Sequence, residues 1–110
     1  MKTYKLVNDG ARDVRFTGEK LGEVSSYSLF GSRQNRWTEI GLYRTAGDKL
    51  ILKIIGRSQW QGESDRHEVV ICEDEAAVVT ALVDGNDGRL SDLAKELLEA
   101  VSIEAAQEVA

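Results

Sequence analysis

Proline is absent from the 110 residues, and cysteine, methionine and histidine occur once each. The missing proline is unusual but points to no mechanism. The single cysteine, Cys72, excludes an internal disulfide and any zinc site built from several cysteines. No apolar run approaches the ~18 residues that a membrane-spanning helix needs. Met1-Lys2-Thr3-Tyr4-Lys5 leads into no apolar signal core, so a cytoplasmic protein with no membrane partner is expected. An excess of basic charge is missing too. The net charge of −5 argues against nucleic acid as a partner, which calls for a basic footprint.

The charge that is present is uneven. Residues 1–70 carry 12 Lys/Arg against 9 Asp/Glu, and residues 71–110 carry 2 against 10. A mildly basic front thus precedes a strongly acidic tail. The plain reading of that tail is solvated helical faces. The sharper one is an acidic surface that meets a basic partner or imitates nucleic acid. Hydrophobic content of 42% excludes a disordered chain, and the length suits one domain over residues 1–110.

The most legible stretch is Arg36 to Ile55. It reads as a β-hairpin around Thr45-Ala46-Gly47, a three-residue loop with Gly47 in the left-handed position. That loop sets Arg44 against Asp48, Leu42 against Leu50, Ile40 against Leu52 and Glu39 against Lys53. One face then carries Ile40, Leu42, Leu50, Leu52 and Ile54. The other carries Trp37, Tyr43, Ile51 and Ile55, an apolar set that must be covered by the early loops, a second copy or a partner.

Elsewhere, strands are expected at Lys2–Val7, Asp13–Thr17, Leu21–Ser28 and His67–Glu73, with a turn at Gly18-Glu19. Val69 to Cys72 is apolar on both faces, which argues for an interior or covered strand. At Asp74 the period changes to helical. Asp74 is an N-cap before a stripe of Ala76, Val79, Leu82 and Val83. Ser91 caps a second helix, whose Leu90, Leu93, Ala94, Leu97, Leu98 and Val101 form the strongest helical pattern in the chain. Ser102 is read as the cap of a last short helix from Ile103 to Val109. The expectation is an α+β domain: an antiparallel meander of five or six strands within residues 1–73, then two to three C-terminal helices packed on the aliphatic hairpin face.

Motifs that carry chemistry are weak. Asp84-Gly85-Asn86-Asp87-Gly88 lacks the calcium-loop Gly at position six and Glu at position twelve, so it reads as a helix-to-helix turn. Gly56–Gly62 has no Gly-Lys-Ser/Thr ending and is no phosphate loop. No motif calls for a metal or cofactor. His67, with Ser58 or Asp65, is the seed of an enzyme reading, but no nucleophile signature accompanies it. The best candidates for a binding surface are Trp37, Tyr43 and Trp60 with Arg33, Arg36, Arg57 and Arg66, because Trp, Tyr and Arg are enriched at interface hot spots. The plainer alternative is a second small core.

Arg36-Trp37-Thr38-Glu39-Ile40-Gly41-Leu42-Tyr43-Arg44-Thr45, Ile55-Gly56-Arg57-Ser58 and Leu93-Ala94-Lys95-Glu96-Leu97-Leu98 resemble small, mostly uncharacterised bacterial proteins carried on plasmids and other mobile elements. The resemblance covers roughly the last two-thirds of the chain. It implies an accessory role, one form of which is inhibition of a host defence system in the manner of anti-CRISPR proteins. The function expected is therefore a non-enzymatic protein-binding module. A homodimeric structural domain and a small enzyme using His67 are the alternatives.

Overall fold

The computed structural model describes residues 1–26, 36–58, 62, 64–84 and 88–103. Five strands come first: β1 (Lys2–Leu6), β2 (Val14–Ser25), β3 (Arg36–Thr45), β4 (Leu50–Ser58) and β5 (Arg66–Cys72). They pair antiparallel in chain order, as a meander. Among the described residues two helices follow, α1 (Glu75–Asp84) and α2 (Asp92–Ala100). The architecture is α+β. Among the described residues, no helix is long and apolar enough to cross a membrane.

The β3–β4 hairpin forms, with its turn one residue later than expected. Asp48, not Gly47, takes the left-handed conformation, at φ 63°. Its N–H donates to the Thr45 carbonyl at 3.0 Å, and the Thr45 N–H to the Lys49 carbonyl at 2.8 Å. The loop is thus Ala46-Gly47-Asp48. Aspartate tolerates this region because its short side chain is polar and unbranched at Cβ. The Thr45 hydroxyl also accepts the Lys49 N–H at 3.1 Å, which favours the later closure. The register moves by two residues. Arg44 faces Leu50, Leu42 faces Leu52, Gly41 faces Lys53 and Trp37 faces Arg57. The expected pairs Arg44–Asp48 and Glu39–Lys53 do not form. The faces survive, because side chains alternate with period two.

β2 is a single twelve-residue strand where two strands with a turn at Gly18-Glu19 were expected. Its first half pairs with β1 up to Gly18, and its second half pairs with β3 from Gly18 onward. A bulge between Lys20 and Gly22 changes its phase. Leu21 and Val24 therefore both join the core beneath the helices.

That core sets Ile40, Leu42, Leu50 and Leu52 against Val78, Leu82, Leu93, Leu97 and Leu98. Full burial of such side chains contributes about 1.5–3 kcal/mol each. The N-caps fall where expected. Asp74 Oδ1 accepts the Ala77 N–H at 2.8 Å, and Ser91 Oγ the Ala94 N–H at 3.0 Å. α2 buries Leu93, Ala94, Leu97 and Leu98 as its pattern requires. α1 instead buries Val78 and Leu82, and Ala76 is exposed. The run Ala76-Ala77-Val78-Val79 offers several apolar stripes, and the sheet selects one. Ser102 closes the C-terminal end of α2. It is left-handed at φ 61°, donates to the Glu99 carbonyl, and lets Ile103 donate to the Leu98 carbonyl at 2.8 Å. Residues 104–109 of the expected last helix lie outside the described residues.

The sheet curls, and its concave face holds a second core. Leu6, Tyr43 and Ile51 are buried there with Tyr4, Phe16 and Val69 around them. The Tyr43 ring meets Tyr4 edge-on at 5.0 Å and Phe16 at 5.5 Å. The segment after β1 ties the curl shut against the free edge of β5. Asp9 N–H donates to the His67 carbonyl at 2.8 Å, and the Asp9 carboxylate accepts the His67 N–H at 2.7 Å. Asn8 Oδ1 accepts the Val69 N–H at 3.2 Å. Lys53 completes the tie from beneath, donating to the Val7 carbonyl and to His67 Nδ1. β5 is therefore the last strand of the sheet rather than an interior one, with Ile71 56% exposed.

Candidate functional site

Arg36, Thr38, Gly56, Ser58 and Arg66 share the helix-facing side of the sheet by strand alternation. Trp37 and Arg57 border them from the opposite side. Together with Ser26 and Ser64 they line a cleft of about 560 Å³. The floor is open because Gly56, opposite Thr38, carries no side chain. Ser26 and Thr38 also line a second groove of about 400 Å³, walled by Ile40, Ile54, Ala81, Leu82 and Leu93. The Thr38 N–H donates to Ser26 Oγ at 2.8 Å at this junction. A basic cleft thus runs into an apolar groove under the helices.

Arg57 is held rather than loose. Its Nε donates to Glu39 at 3.1 Å and its Nη1 to Asp65 at 2.8 Å. The other Glu39 oxygen accepts Trp37 Nε1 at 3.0 Å, and the other Asp65 oxygen accepts the Ser58 N–H at 3.2 Å. Hydrogen bonding from Arg57, and then from Ser58, holds the Asp65 carboxyl below the ordinary carboxylate range. Part-exposed ion pairs contribute little stability. Their consequence here is geometric: the network fixes the Trp37 indole and the Arg57 guanidinium at the rim. Two carboxylates offset the Arg57 charge, and Arg36 and Arg66 are both exposed at this cleft.

Of the seven expected binding residues, four meet here: Arg36, Trp37, Arg57 and Arg66. Tyr43 does not. It is 8% exposed, sealed into the concave core, and burial followed by the neighbouring Tyr4 raises its phenol above the ordinary tyrosine range. The reason is the curl, which brings Tyr4 and Leu6 of β1 and Phe16 of β2 against the part of the apolar face that holds Tyr43 and Ile51, a face expected to be covered by the early loops, a second copy or a partner. Arg33 and Trp60 lie outside the described residues, as do residues 85–87 of the rejected calcium loop.

Sequence reasoning did not single out Ser26, Thr38, Gly56 and Ser64 as cleft residues, nor Glu39 and Asp65 as the holders of Arg57. Alternation alone places Thr38 with Arg36, and Gly56 with Ser58. The corrected register is needed to bring the two pairs together.

The side chains of the enzyme reading have other partners. His67 Nδ1 meets Lys53 Nζ at 3.1 Å, and both Asp65 oxygens are taken by Arg57 and Ser58. Among the described residues no hydrogen bond joins His67 to Asp65. Cys72 is buried, and its thiol is pushed up by that burial and by Asp74, which suits a small apolar residue of the core rather than a nucleophile.

Compared with protein-family models, curated proteins and solved structures, the chain matches none.

Proposed function

We propose that the chain is a non-enzymatic protein-binding module whose cleft takes an acidic, partly apolar segment of a partner protein. The observation that carries this reading is the convergence of Arg36, Trp37, Arg57 and Arg66 on one cleft that continues into an apolar groove. Partner carboxylates would lie against Arg36 and Arg66, and an apolar side chain would enter between Ile40, Ile54 and Leu93. Arginine suits carboxylate because its planar fork can donate two parallel hydrogen bonds. The pre-fixed Trp37 and Arg57 lower the ordering cost of association. The homodimer alternative is less favoured, since Tyr43 and Ile51 of the apolar face that motivated it are buried with Tyr4, Leu6 and Phe16 of the N-terminal strands.

The test is an NMR titration with a peptide of alternating glutamate and leucine, beside a control with lysine in place of glutamate. Shifts at Arg36, Ser58, Ser64 and Arg66 with the acidic peptide are expected. The double variant Arg36→Glu/Arg66→Glu should keep its fold and bind at least tenfold more weakly, since each lost charge-assisted contact is worth roughly 1.5–3 kcal/mol. Equal response to the basic peptide would sink the reading. A narrower reading rests on the resemblance to mobile-element proteins: the partner belongs to a host defence system and the module inhibits it. Expression in a strain with active CRISPR immunity should then restore phage plaquing. Unchanged immunity ends that narrower reading and leaves the cleft to the peptide titration.

A further inference from the structure

A second, smaller cavity of about 110 Å³ lies on the concave side of the sheet, and its walls include Glu23, Glu39, Tyr43, Lys53 and Arg57. Two of these side chains stand out chemically. Lys53 is 6% exposed, the one buried charged residue among those described. Its ammonium donates to a backbone carbonyl and to an imidazole nitrogen, and no carboxylate of the described residues pairs with it. An ammonium has three donors, so one remains. Tyr43 is 8% exposed, and its hydroxyl makes no hydrogen bond among the described residues. Among the described residues no buried side-chain nitrogen or oxygen lacks a hydrogen-bond partner, so the unmatched Tyr43 hydroxyl is one that solvent can reach.

The room between them comes from Gly41, which faces Lys53 across the β3–β4 ladder. A Cβ on Gly41 would lie 3.6 Å from Tyr43 Cε1 and 3.8 Å from Tyr43 Oη, so the phenol hangs over the space this glycine leaves. The acidic walls are already satisfied. Glu39 accepts from Trp37 and Arg57, and Glu23 pairs with Lys20. What the cavity offers an incoming molecule is therefore a cation and a phenolic donor. Burial also holds the Lys53 ammonium below the ordinary lysine range, although Asp9 and Asp13 act against that shift; a bound anion would oppose it further.

We infer that this cavity binds a small carboxylate, of the size of formate or acetate, between Lys53 and Tyr43. The volume sets the size, since a cavity of about 150 Å³ accommodates the six heavy atoms of benzene. The cavity shares Arg57 with the arginine cleft, and its standing does not depend on the partner proposed there.

The probe is sodium acetate, with sodium chloride at equal ionic strength and acetamide as the uncharged analogue. Acetate should raise the melting temperature and shift the Tyr43 ring resonances, and chloride and acetamide should do neither. Gly41→Ala places a methyl group in the cavity at ordinary contact distance, and Lys53→Met removes the charge while keeping a linear side chain of similar length. Each should fold and bind acetate at least tenfold more weakly. Acetamide acting as well as acetate, a response that survives in both variants, or no response of the wild type to acetate would each overturn the inference.

Discussion

Gly18→Ala is expected to destabilise the protein by about 3 kcal/mol or more, at the upper end of what overpacking usually costs. Gly18 is where β2 passes from one neighbour to the other. It faces Lys2 at the end of the β1 ladder and Thr45 at the start of the β3 ladder. A Cβ there would overlap the Arg44 carbonyl oxygen and lie 2.9 Å from both the Arg44 carbonyl carbon and Thr45 Cα. All three are backbone atoms, so no rotamer change relieves the overlap. β3 would have to move away, and the Ala46 N–H bond to the Thr17 carbonyl, 2.8 Å long, would be strained with it. Gly22 is a softer case, because its Cβ would meet only a side-chain methyl group of Val101, at 2.6 Å. Urea unfolding monitored by tryptophan fluorescence measures the effect. Domains of this kind hold about 5–15 kcal/mol in total, so the midpoint should fall by a large fraction. A midpoint within error of wild type would mean that β2 does not cross between its neighbours at Gly18.

Leu52→Ala carries the second large effect, a loss of about 2–5 kcal/mol. Leu52 and its cross-strand partner Leu42 are both fully buried, and they lie in the core that also receives the fully buried Leu97 from α2. Sheet and helix both border the space that truncation would open, so neither can collapse into it freely. Leu97→Ala should cost a similar amount. The double variant should depart from additivity by about 0.5 kcal/mol or more if the two side chains share one cavity. Ile71→Ser supplies the contrast. Ile71 is more than half exposed on β5, and its replacement should stay within about 0.5 kcal/mol of wild type. Equal losses for Leu52→Ala and Ile71→Ser would contradict the assignment of the two faces.

The hairpin displays how far local reading reaches. Its strands, its turn type and its two faces follow from alternation and from a three-residue loop. The turn position does not. Gly47 and Asp48 compete for one left-handed residue, and the hydrogen bonds of Thr45 and Lys49 decide for Asp48. Because the error is two residues in register, each side chain keeps its face but changes its opposite number. Lys53 loses Glu39 as a cross-strand neighbour and gains Gly41, and from that exchange the concave cavity arises. Glu39 becomes available to Arg57 and Trp37, and so helps to shape the arginine cleft.

Tyr43 and Trp37 show the same boundary for function. Both belong to the concave face by alternation, and both residue types suit a binding surface. Trp37 reaches a cleft, whereas Tyr43 lies under β1. What separates them is the curl, held by Asn8 and Asp9 on β5 at sequence separations of 61 and 58 residues. The sequence by itself determined the order of strands before helices, the aliphatic face that seats the helices, both helix N-caps and the buried stripe of α2. Each of these is a local property, written in side-chain periodicity or in a few neighbouring residues. Only the tertiary structure decided the unbroken course of β2, the burial of Tyr43, the bonding of Lys53 to Val7 and His67 and the meeting of Arg36, Arg57 and Arg66. Those depend on which distant backbone groups satisfy one another, and no pattern of neighbouring residues records that choice.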